Sequence, residues 1–177
     1  MATKLLGKHA KYKVTQNKIV IRAKVFDYFS PCTNILSLCN LDFSLENSFI
    51  NENKRVTVVE INPHIYKKQL KVADERIELI HDNILKSNPK EFDGLFLDFC
   101  GPYSSKMKDF LLNINRGSKV VLTFLAAREH PTLKSIINIY DRERSYINLL
   151  KSLGFMVEYY SSYNSPSPML VFFCRKI

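Results

Sequence analysis

Short apolar runs alternate with longer amphipathic runs along most of the chain, and this alternation limits the possible folds more than any other feature. Apolar or β-branched runs of strand length occupy 34–39, 55–61, 76–80, 92–98 and 118–125. Apolar residues at helical spacing occupy 17–29, 42–52, 63–72, 104–115 and 132–152. Because parallel strands need a crossover connection, usually a helix, the alternation predicts a mostly parallel sheet.

Two further apolar runs, 155–161 and 168–174, flank the turn-rich segment SYNSPSP. Their spacing predicts an antiparallel hairpin with a longer loop. The whole pattern predicts an α/β fold with a doubly wound, mostly parallel seven-stranded sheet, helices on both faces and a C-terminal antiparallel hairpin. A length of 177 residues fits a single domain spanning 1–177.

Local signals indicate where the helices pack and where they end. Ile19, Ala23 and Phe26 share one face of the helix at 17–29, and Pro31 follows its end. In the helix at 104–115, the inward residues are Met107, Phe110, Leu111 and Ile114. Residues typical of helix ends are Asp42 and Pro63 at starts, and Gly117 and Gly154 at ends.

Positive charge is concentrated at the N-terminus. The net charge is +9, and residues 1–26 carry seven basic residues and no acidic one, so the other residues contribute only +2. An asymmetric basic end is typical of a protein that binds a polyanion, so we expect a nucleic-acid partner, DNA or RNA, contacted by Lys8, Lys11 and Lys13. The alternative is a solvated tail.

Cysteine usage and hydropathy are typical of a protein inside the cell. The four cysteines, Cys32, Cys39, Cys100 and Cys174, form no CxxC pair, so we expect reduced thiols and no metal. No apolar stretch approaches the 18 residues of a membrane helix, and no secretory h-region follows the first lysines. We therefore predict an intracellular protein of the cytoplasm or nucleus.

Acidic residues stand at the ends of three successive predicted strands. They are Glu60, Asp82 and Asp98. In open parallel sheets, ligands bind beyond the carboxyl ends of the strands. Glu60 comes 21 residues after Cys39, where a carboxylate can accept hydrogen bonds from the ribose hydroxyls of a nucleoside, and Asp82 can meet an adenine amine.

Four segments resemble the motifs of the class I S-adenosylmethionine-dependent methyltransferases. They are VVEIN at 58–62, IHDNIL at 80–85, FDGLFLDFCGPY at 92–103 and RGSKVVLTF at 116–124. The resemblance spans nearly the whole chain from Ile19 to Lys176. It implies a Rossmann-like core at 31–177 that follows a basic N-terminal arm and helix at 1–30.

The resemblance also implies S-adenosylmethionine as cofactor and assigns residues to it. Glu60 corresponds to the family's ribose ligand, Asp82 to the adenine ligand and Asp98 to the acid that faces the cofactor methionine and the substrate. The implied cofactor-binding residues are Leu38, Cys39, Asn40, Glu60, Ile61, Asp82, Asn83, Asp98 and Phe99. The family's glycine-rich turn after strand one is missing, because no glycine lies between Gly7 and Gly94. Asn40 tolerates left-handed backbone and is the candidate replacement for one glycine.

Two mechanisms are compatible with the segment after strand four. In one, Asp98 accepts hydrogen bonds from an exocyclic amine of a base while Phe99 or Tyr103 stacks on the ring, next to Pro102. In the other, Cys100 adds to a pyrimidine as a nucleophile. Arg128, after strand five, is a candidate phosphate contact.

There are two alternatives to an active methyltransferase, and the missing glycines favour only the first. The first is an inactive relative that binds nucleic acid or acts as a scaffold. The second is a nicotinamide-dependent dehydrogenase, which is disfavoured because that fold also needs a glycine fingerprint and its sheet does not end in this hairpin.

Overall fold

The computed structural model describes residues 16–39, 41–99, 101–126, 141–165 and 167–177. Its helices are α1 (Gln16–Tyr28), α2 (Ser44–Asn51), α3 (Pro63–Gln69), α4 (Lys108–Leu112) and α5 (Arg142–Ser152). Its strands are β1 (Asn34–Ser37), β2 (Arg55–Val59), β3 (Ile77–Ile80), β4 (Gly94–Asp98), β5 (Lys119–Leu125), β6 (Phe155–Ser165) and β7 (Ser167–Lys176). None of the helices in these ranges combines the length and the apolar character that a membrane span requires.

The seven strands form one mixed sheet in the order β3-β2-β1-β4-β5-β7-β6. Strands β1 to β5 run parallel to one another, whereas β7 pairs antiparallel with both β5 and β6. The α/β fold with a C-terminal antiparallel pair is therefore confirmed. Because β1 lies between β2 and β4, the chain reverses its direction of travel across the sheet beside β1, which is where open α/β sheets bind ligands.

Two clusters of buried side chains hold the helices to the sheet. Ile35 of β1 belongs to a cluster that includes residues of α1 and α2. The next residue, Leu36, belongs to a cluster that includes residues of α4 and α5. In α4 and the turns on either side of it, the predicted inward residues Met107, Phe110, Leu111 and Ile114 are all buried.

The first helix buries a different face from the one that the sequence indicated. Ile21, Val25 and Phe29 are buried, whereas Ile19 is 50% exposed. Apolar residues occur on more than one side of the segment NKIVIRAKVFDYF, so its spacing predicts a helix without specifying the face. Packing against Ile35 and the central strands selects the face that is buried.

One predicted connection is wrong, and another was not predicted. The segment SYNSPSP is not a longer loop, because the β6–β7 ladder continues through Tyr163↔Met169 to Ser165↔Ser167. Its turn-forming composition was outweighed by pairing of β7 with both of its neighbours. Between β3 and β4 the chain makes two short 3-10 turns, Ile84–Lys86 and Pro89–Glu91, in place of a crossover α-helix.

The helix ends follow their local signals in part. Pro63 opens α3, and the Asn62 side chain before it accepts the His64 N–H at 2.9 Å. Gly154 follows α5 with φ +78°, a conformation that glycine adopts without strain. Asp42 is not the N-cap of α2, which is Phe43, and α4 ends before Gly117 at Leu112. The part of the predicted helix at 132–152 that precedes Asp141 lies outside the described residues.

Candidate functional site

A cavity of about 380 Å³ lies at the carboxyl ends of the first four strands. Its lining comes from the ends of β1, β2, β3 and β4, with additions from α1 and the turn before α4. The described lining residues are Lys18, Leu38, Cys39, Val59, Glu60, Ile61, Asp82, Asn83, Ile84, Leu85, Asp98, Phe99 and Met107.

The structure brings the predicted cofactor-binding residues together in this cavity. Every one of them that is described lines it: Leu38, Cys39, Glu60, Ile61, Asp82, Asn83, Asp98 and Phe99. Asn40 lies outside the described residues. The three carboxylates therefore meet at one site, although 38 positions separate Glu60 from Asp98 in the sequence.

At the end of β2, backbone contacts orient the Glu60 carboxylate. Its Oε1 accepts the Asn62 N–H at 2.6 Å, and the Glu60 N–H donates to Ile80 O at 3.0 Å, which extends the β2–β3 pairing. A carboxylate has four lone-pair sites, so this contact leaves acceptor capacity for a ligand. The neighbouring Ile61 is 64% exposed and gives the cavity an apolar wall.

At the end of β3, Asp82 is held in its ionised form. Its Oδ1 lies 3.0 Å from Lys86 Nζ and accepts the Asn83 N–H at 2.7 Å. These two hydrogen bonds, the one with Lys86 above all, keep the pKa of Asp82 below its ordinary value. The Asn83 side chain accepts the Leu85 N–H at 3.0 Å and caps the following 3-10 turn.

At the end of β4, the chain turns sharply and presents two side chains to the cavity. The Phe99 N–H donates to Leu97 O at 3.0 Å, the bond of a three-residue γ-turn around Asp98. Thr123, opposite Asp98 in the β4–β5 register, donates its hydroxyl to Asp98 Oδ1. The Phe99 ring stacks on Phe124 with centroids 6.3 Å apart, so both residues are fixed from β5.

The end of β1 is held by two helices in place of a glycine-rich turn. Gln69 of α3 donates to Cys39 O at 3.0 Å. Arg22 of α1 forms an ion pair with Asp42 and donates to Ser44 Oγ at 3.1 Å. The Cys39 side chain is 7% exposed, and burial, followed by the nearby Glu46, raises the pKa of its thiol. Cys39 is thus a neutral wall residue.

The predicted substrate-side residues are less close to the cavity. Tyr103 is 4% exposed, its N–H donates to Tyr146 Oη at 3.4 Å, and its ring packs edge-on against Phe124. Tyr103 is therefore part of the core next to α5, and its burial raises the pKa of its hydroxyl. Phe99 is the aromatic residue that lines the cavity. Pro102 is half-buried. The other predicted residues lie outside the described ranges: Cys100, Arg128, Lys8, Lys11 and Lys13.

Five lining residues were not predicted as cofactor contacts: Lys18, Val59, Ile84, Leu85 and Met107. Met107 was predicted as an inward residue of a helix, and it is buried and also lines the cavity. Lys18 belonged to the basic N-terminal segment, and only the packing of α1 brings it to the strand ends. Among the described residues, no group of three or more His, Cys, Asp or Glu side chains is arranged to hold a metal ion.

Comparisons with known proteins identify the fold. No protein-family model and no curated protein matches the sequence. The N-methyltransferase NodS from Bradyrhizobium japonicum WM9, in complex with S-adenosyl-L-homocysteine, is similar with TM-score 0.64 and 13% identity over 92% of this chain and 88% of that chain. A SAM-dependent methyltransferase from Methanosarcina mazei gives TM-score 0.64 and 12% identity over 87% of this chain and 97% of its own.

A third similar structure contains both a substrate and a cofactor product. It is the 1,6-didemethyltoxoflavin-N1-methyltransferase of Burkholderia thailandensis with bound 1,6-didemethyltoxoflavin and S-adenosylhomocysteine. Its TM-score is 0.62 at 15% identity, over 88% of this chain and 76% of that chain. The strand order and these likenesses show that the chain has the fold of the class I S-adenosylmethionine-dependent methyltransferases.

Proposed function

We propose that the protein is an S-adenosylmethionine-dependent methyltransferase and that the cavity at the ends of β1 to β4 is its cofactor site. The observation that carries the proposal is the convergence of Glu60, Asp82 and Asp98 on one cavity of this fold. A volume of about 380 Å³ falls within the range of small-molecule sites.

The lining residues fit the chemical parts of the cofactor. We assign the ribose hydroxyls to Glu60 and the adenine amine to Asp82, since a carboxylate held by one backbone N–H keeps acceptor capacity for a ligand. Ile61, with its large exposed surface, provides a face for the adenine ring. Asp98 and the end of β1 then remain for the amino-acid part.

The turn after β1 leaves room for a ligand although it lacks glycine. The Cys39 side chain is almost completely buried, so it does not project across the cavity, and the cavity is open beside it. Two side-chain contacts hold this segment: the hydrogen bond from Gln69 to Cys39 O and the Arg22–Asp42 ion pair.

The bound cofactor supplies an electrophilic methyl group, and the chain supplies the position of the nucleophile. Asp98, fixed by the Thr123 hydroxyl, can accept a hydrogen bond from a substrate amine, and Phe99 can stack on a planar ring. Positioning of this kind contributes several kcal/mol to catalysis. An amine of a base or another nucleophile fits these contacts, and the role of Cys100 as a nucleophile stays a prediction.

The proposal extends to a nucleic-acid substrate. The support is electrostatic: seven basic and no acidic residues in 1–26. Lys18 belongs to this segment and lines the cavity, so the segment reaches the proposed site at that residue. Phosphate contacts by Lys8, Lys11 and Lys13 would position a strand without reading its sequence.

We also infer that the sheet is doubly wound. Successive residues of a strand point to opposite faces, and Ile35 and Leu36 belong to different core clusters. The cluster of Ile35 includes α1 and α2, and the cluster of Leu36 includes α4 and α5. This division supports one pair of helices on each face.

Thermal unfolding with and without S-adenosylmethionine tests the proposed function. A ligand at 100 times its Kd stabilises the folded state by about 2.7 kcal/mol, which raises Tm by about 5–10 °C for a chain of this size. S-adenosylhomocysteine should act in the same way, and NAD, as the control, should have no effect. No shift with either methionine-derived ligand at millimolar concentration would favour the inactive relative.

A further inference from the structure

The sheet ends at a long strand, β6, that is paired on one side. β6 runs over Phe155–Ser165 and pairs with β7, and no strand in the described parts of the chain lies beyond it. Every second residue of such an edge strand directs its backbone N–H and C=O away from the sheet, where they can pair with another extended chain. The opposite edge strand, β3, is only four residues long. β6 is therefore the edge to which another strand can be added.

The second half of β6 lacks the features that usually protect an edge strand. Natural edges are protected by charged side chains, proline or β-bulges. β6 has one charged residue, Glu158, which lies at its bulge and forms an ion pair with Arg175 of its own chain at 2.7 Å. Beyond the bulge, the segment YYSSYN at 159–164 contains no charged residue and no proline, although the chain has 26 basic residues.

Tyrosine side chains of this segment are exposed on both faces of the sheet. Tyr159 packs on Phe173, in the core cluster of α1 and α2, with ring centroids 5.4 Å apart. Tyr160 stacks on Phe172, in the core cluster of α4 and α5, with centroids 6.1 Å apart. Each tyrosine is still 43% exposed. Tyrosine is enriched at protein interfaces, because its ring is apolar and its hydroxyl tolerates water.

The order of the residues makes this segment complementary to itself. A two-fold axis perpendicular to the sheet leaves each face on its own side, so an antiparallel pair of β6 strands matches residues of the same face. With Ser161 on the axis, Tyr159 lies opposite the partner's Tyr163, and Tyr160 lies opposite the partner's Ser162. The first match is an aromatic cross-strand pair, and the second sets a large side chain beside a small one.

We propose that β6 is the interface of a homodimer, in which the β6 strands of two copies pair antiparallel with Ser161 on the two-fold axis. Charge permits a second copy at this edge. The paired segments bring no like charges together, and the excess of basic residues lies in 1–26, outside β6. Lys24, which lies beside β6, is held on its own chain, where it donates to Tyr159 Oη at 2.8 Å. Because antiparallel pairing reverses the strand direction, the two cavities open at opposite edges of the combined sheet.

A disulfide tests both the interface and its register. Cα atoms directly opposite each other in an antiparallel pair are about 4.5–5.5 Å apart, a separation that a disulfide spans. In a Cys100→Ser background, Ser161→Cys should therefore form a covalent dimer under mild oxidation, seen by non-reducing electrophoresis and mass spectrometry. Ser162→Cys should cross-link much less, because its two copies are not opposite each other. Ser152→Cys, at the exposed end of α5, is the matched control and should stay monomeric.

Self-association is measured on the unmodified chain. Sedimentation velocity at about 1–300 µM should give a mass that rises with concentration towards that of two chains, as expected for a small interface. Ser161→Lys sets two like charges directly opposite each other and should weaken dimerisation by about fivefold. Ser152→Lys adds the same charge elsewhere and should leave dimerisation unchanged. Circular dichroism checks that each variant is folded.

Three results would overturn the proposal or its register. A wild-type protein that stays monomeric throughout, with no more cross-linking of Ser161→Cys than of Ser152→Cys, would leave the β6 edge to a strand of a different protein. A dimer that folded Ser161→Lys does not weaken would place the interface on another surface. Faster cross-linking of Ser162→Cys than of Ser161→Cys would keep the interface and show that the proposed register is wrong.

Discussion

At the scale of single residues, Glu60 provides the most direct test of the proposed function. Its Oε1 is already held by the Asn62 N–H, so the carboxylate is oriented before any ligand binds. We expect Glu60→Ala to weaken S-adenosylmethionine binding by about 10- to 100-fold, because hydrogen bonds to a charged group contribute about 1.5–3 kcal/mol. Calorimetry measures the loss, with exposed Glu75→Ala as the control. Unchanged affinity in Glu60→Ala would remove the residue from the site.

The cysteines make a second prediction at the scale of single residues. Burial, with Asp93 nearby, raises the pKa of Cys32 to about 11, and burial also raises the pKa of Cys39 and of Cys174. Because the thiolate is the reactive form, iodoacetamide at pH 7.5 should label these three thiols about 100-fold more slowly than in the urea-unfolded chain. Rapid labelling of the folded protein should be confined to Cys100, as peptide mapping by mass spectrometry would show.

That experiment also bears on the choice of mechanism. A nucleophilic Cys100 needs access and a lowered pKa, both of which favour fast labelling. Fast labelling of Cys39 would instead contradict the burial of the β1 end. Slow labelling of all four cysteines would leave Asp98 and Phe99 as the residues that act on the substrate.

At the scale of elements, the contact between β1 and α2 contains a buried carboxyl group, that of Glu46. Glu46 and Ser37 are both buried, and the Ser37 hydroxyl donates to Glu46 Oε1 at 2.6 Å. Among the described residues, Glu46 Oε2 has no hydrogen-bond partner. Burial is the main cause that raises the pKa of Glu46. The folded protein therefore binds this proton more tightly than the unfolded chain does.

The sign of the pH dependence follows by linkage. Between the ordinary pKa of Glu, about 4.3, and the raised pKa of Glu46, the folded state holds more protons, so stability falls as pH rises through this window. Glu46→Gln keeps the Ser37 bond and removes the charge. We expect it to raise the free energy of unfolding by about 1 kcal/mol at pH 7 and by less at pH 4. Urea unfolding at both pH values measures this, and an equal effect at the two would contradict it. Exposed Glu75→Gln is the control.

The elements also show which sequence signals are sufficient by themselves. Pro63 begins α3 and Gly154 follows α5 as predicted, because such end signals depend on residues only a few positions apart. The buried face of α1 was not predictable, since Ile19 and Ile21 are both apolar and only the sheet chooses between them. The hairpin loop was overpredicted for the same reason: pairing with β5 and β6 outweighs the turn preference of SYNSPSP.

At the scale of the whole molecule, topology explains why much of the candidate site was predictable. Parallel strands bring all their carboxyl ends to one edge, so residues that follow strands, such as Glu60 and Asp98, must converge there. Lys18 follows no strand and comes 16 positions before β1. Its place in the cavity depends on the long-range docking of α1, which no local spacing encodes.

The charge of the whole molecule carries the last prediction. Seven of the basic residues lie in 1–26, so the proposed strand contact should be electrostatic. Each phosphate contact contributes about 0.7–0.9 to the slope of log K against log salt. Replacing Lys4, Lys8, Lys11 and Lys13 by Gln should therefore weaken binding of a labelled oligonucleotide and reduce the slope by up to about 3. Fluorescence anisotropy at several KCl concentrations measures both quantities, for DNA and for RNA.

A second variant separates local contacts from net charge. Replacing the exposed Lys67, Lys68, Lys71 and Lys90 by Gln removes the same total charge from another part of the surface. If the N-terminal lysines contact phosphates, the slope should fall far more in their variant than in this one. Equal, small changes of the slope in both variants would mean that the N-terminal lysines act only through net charge. The basic segment would then be a solvated tail, and the cavity alone would select the substrate.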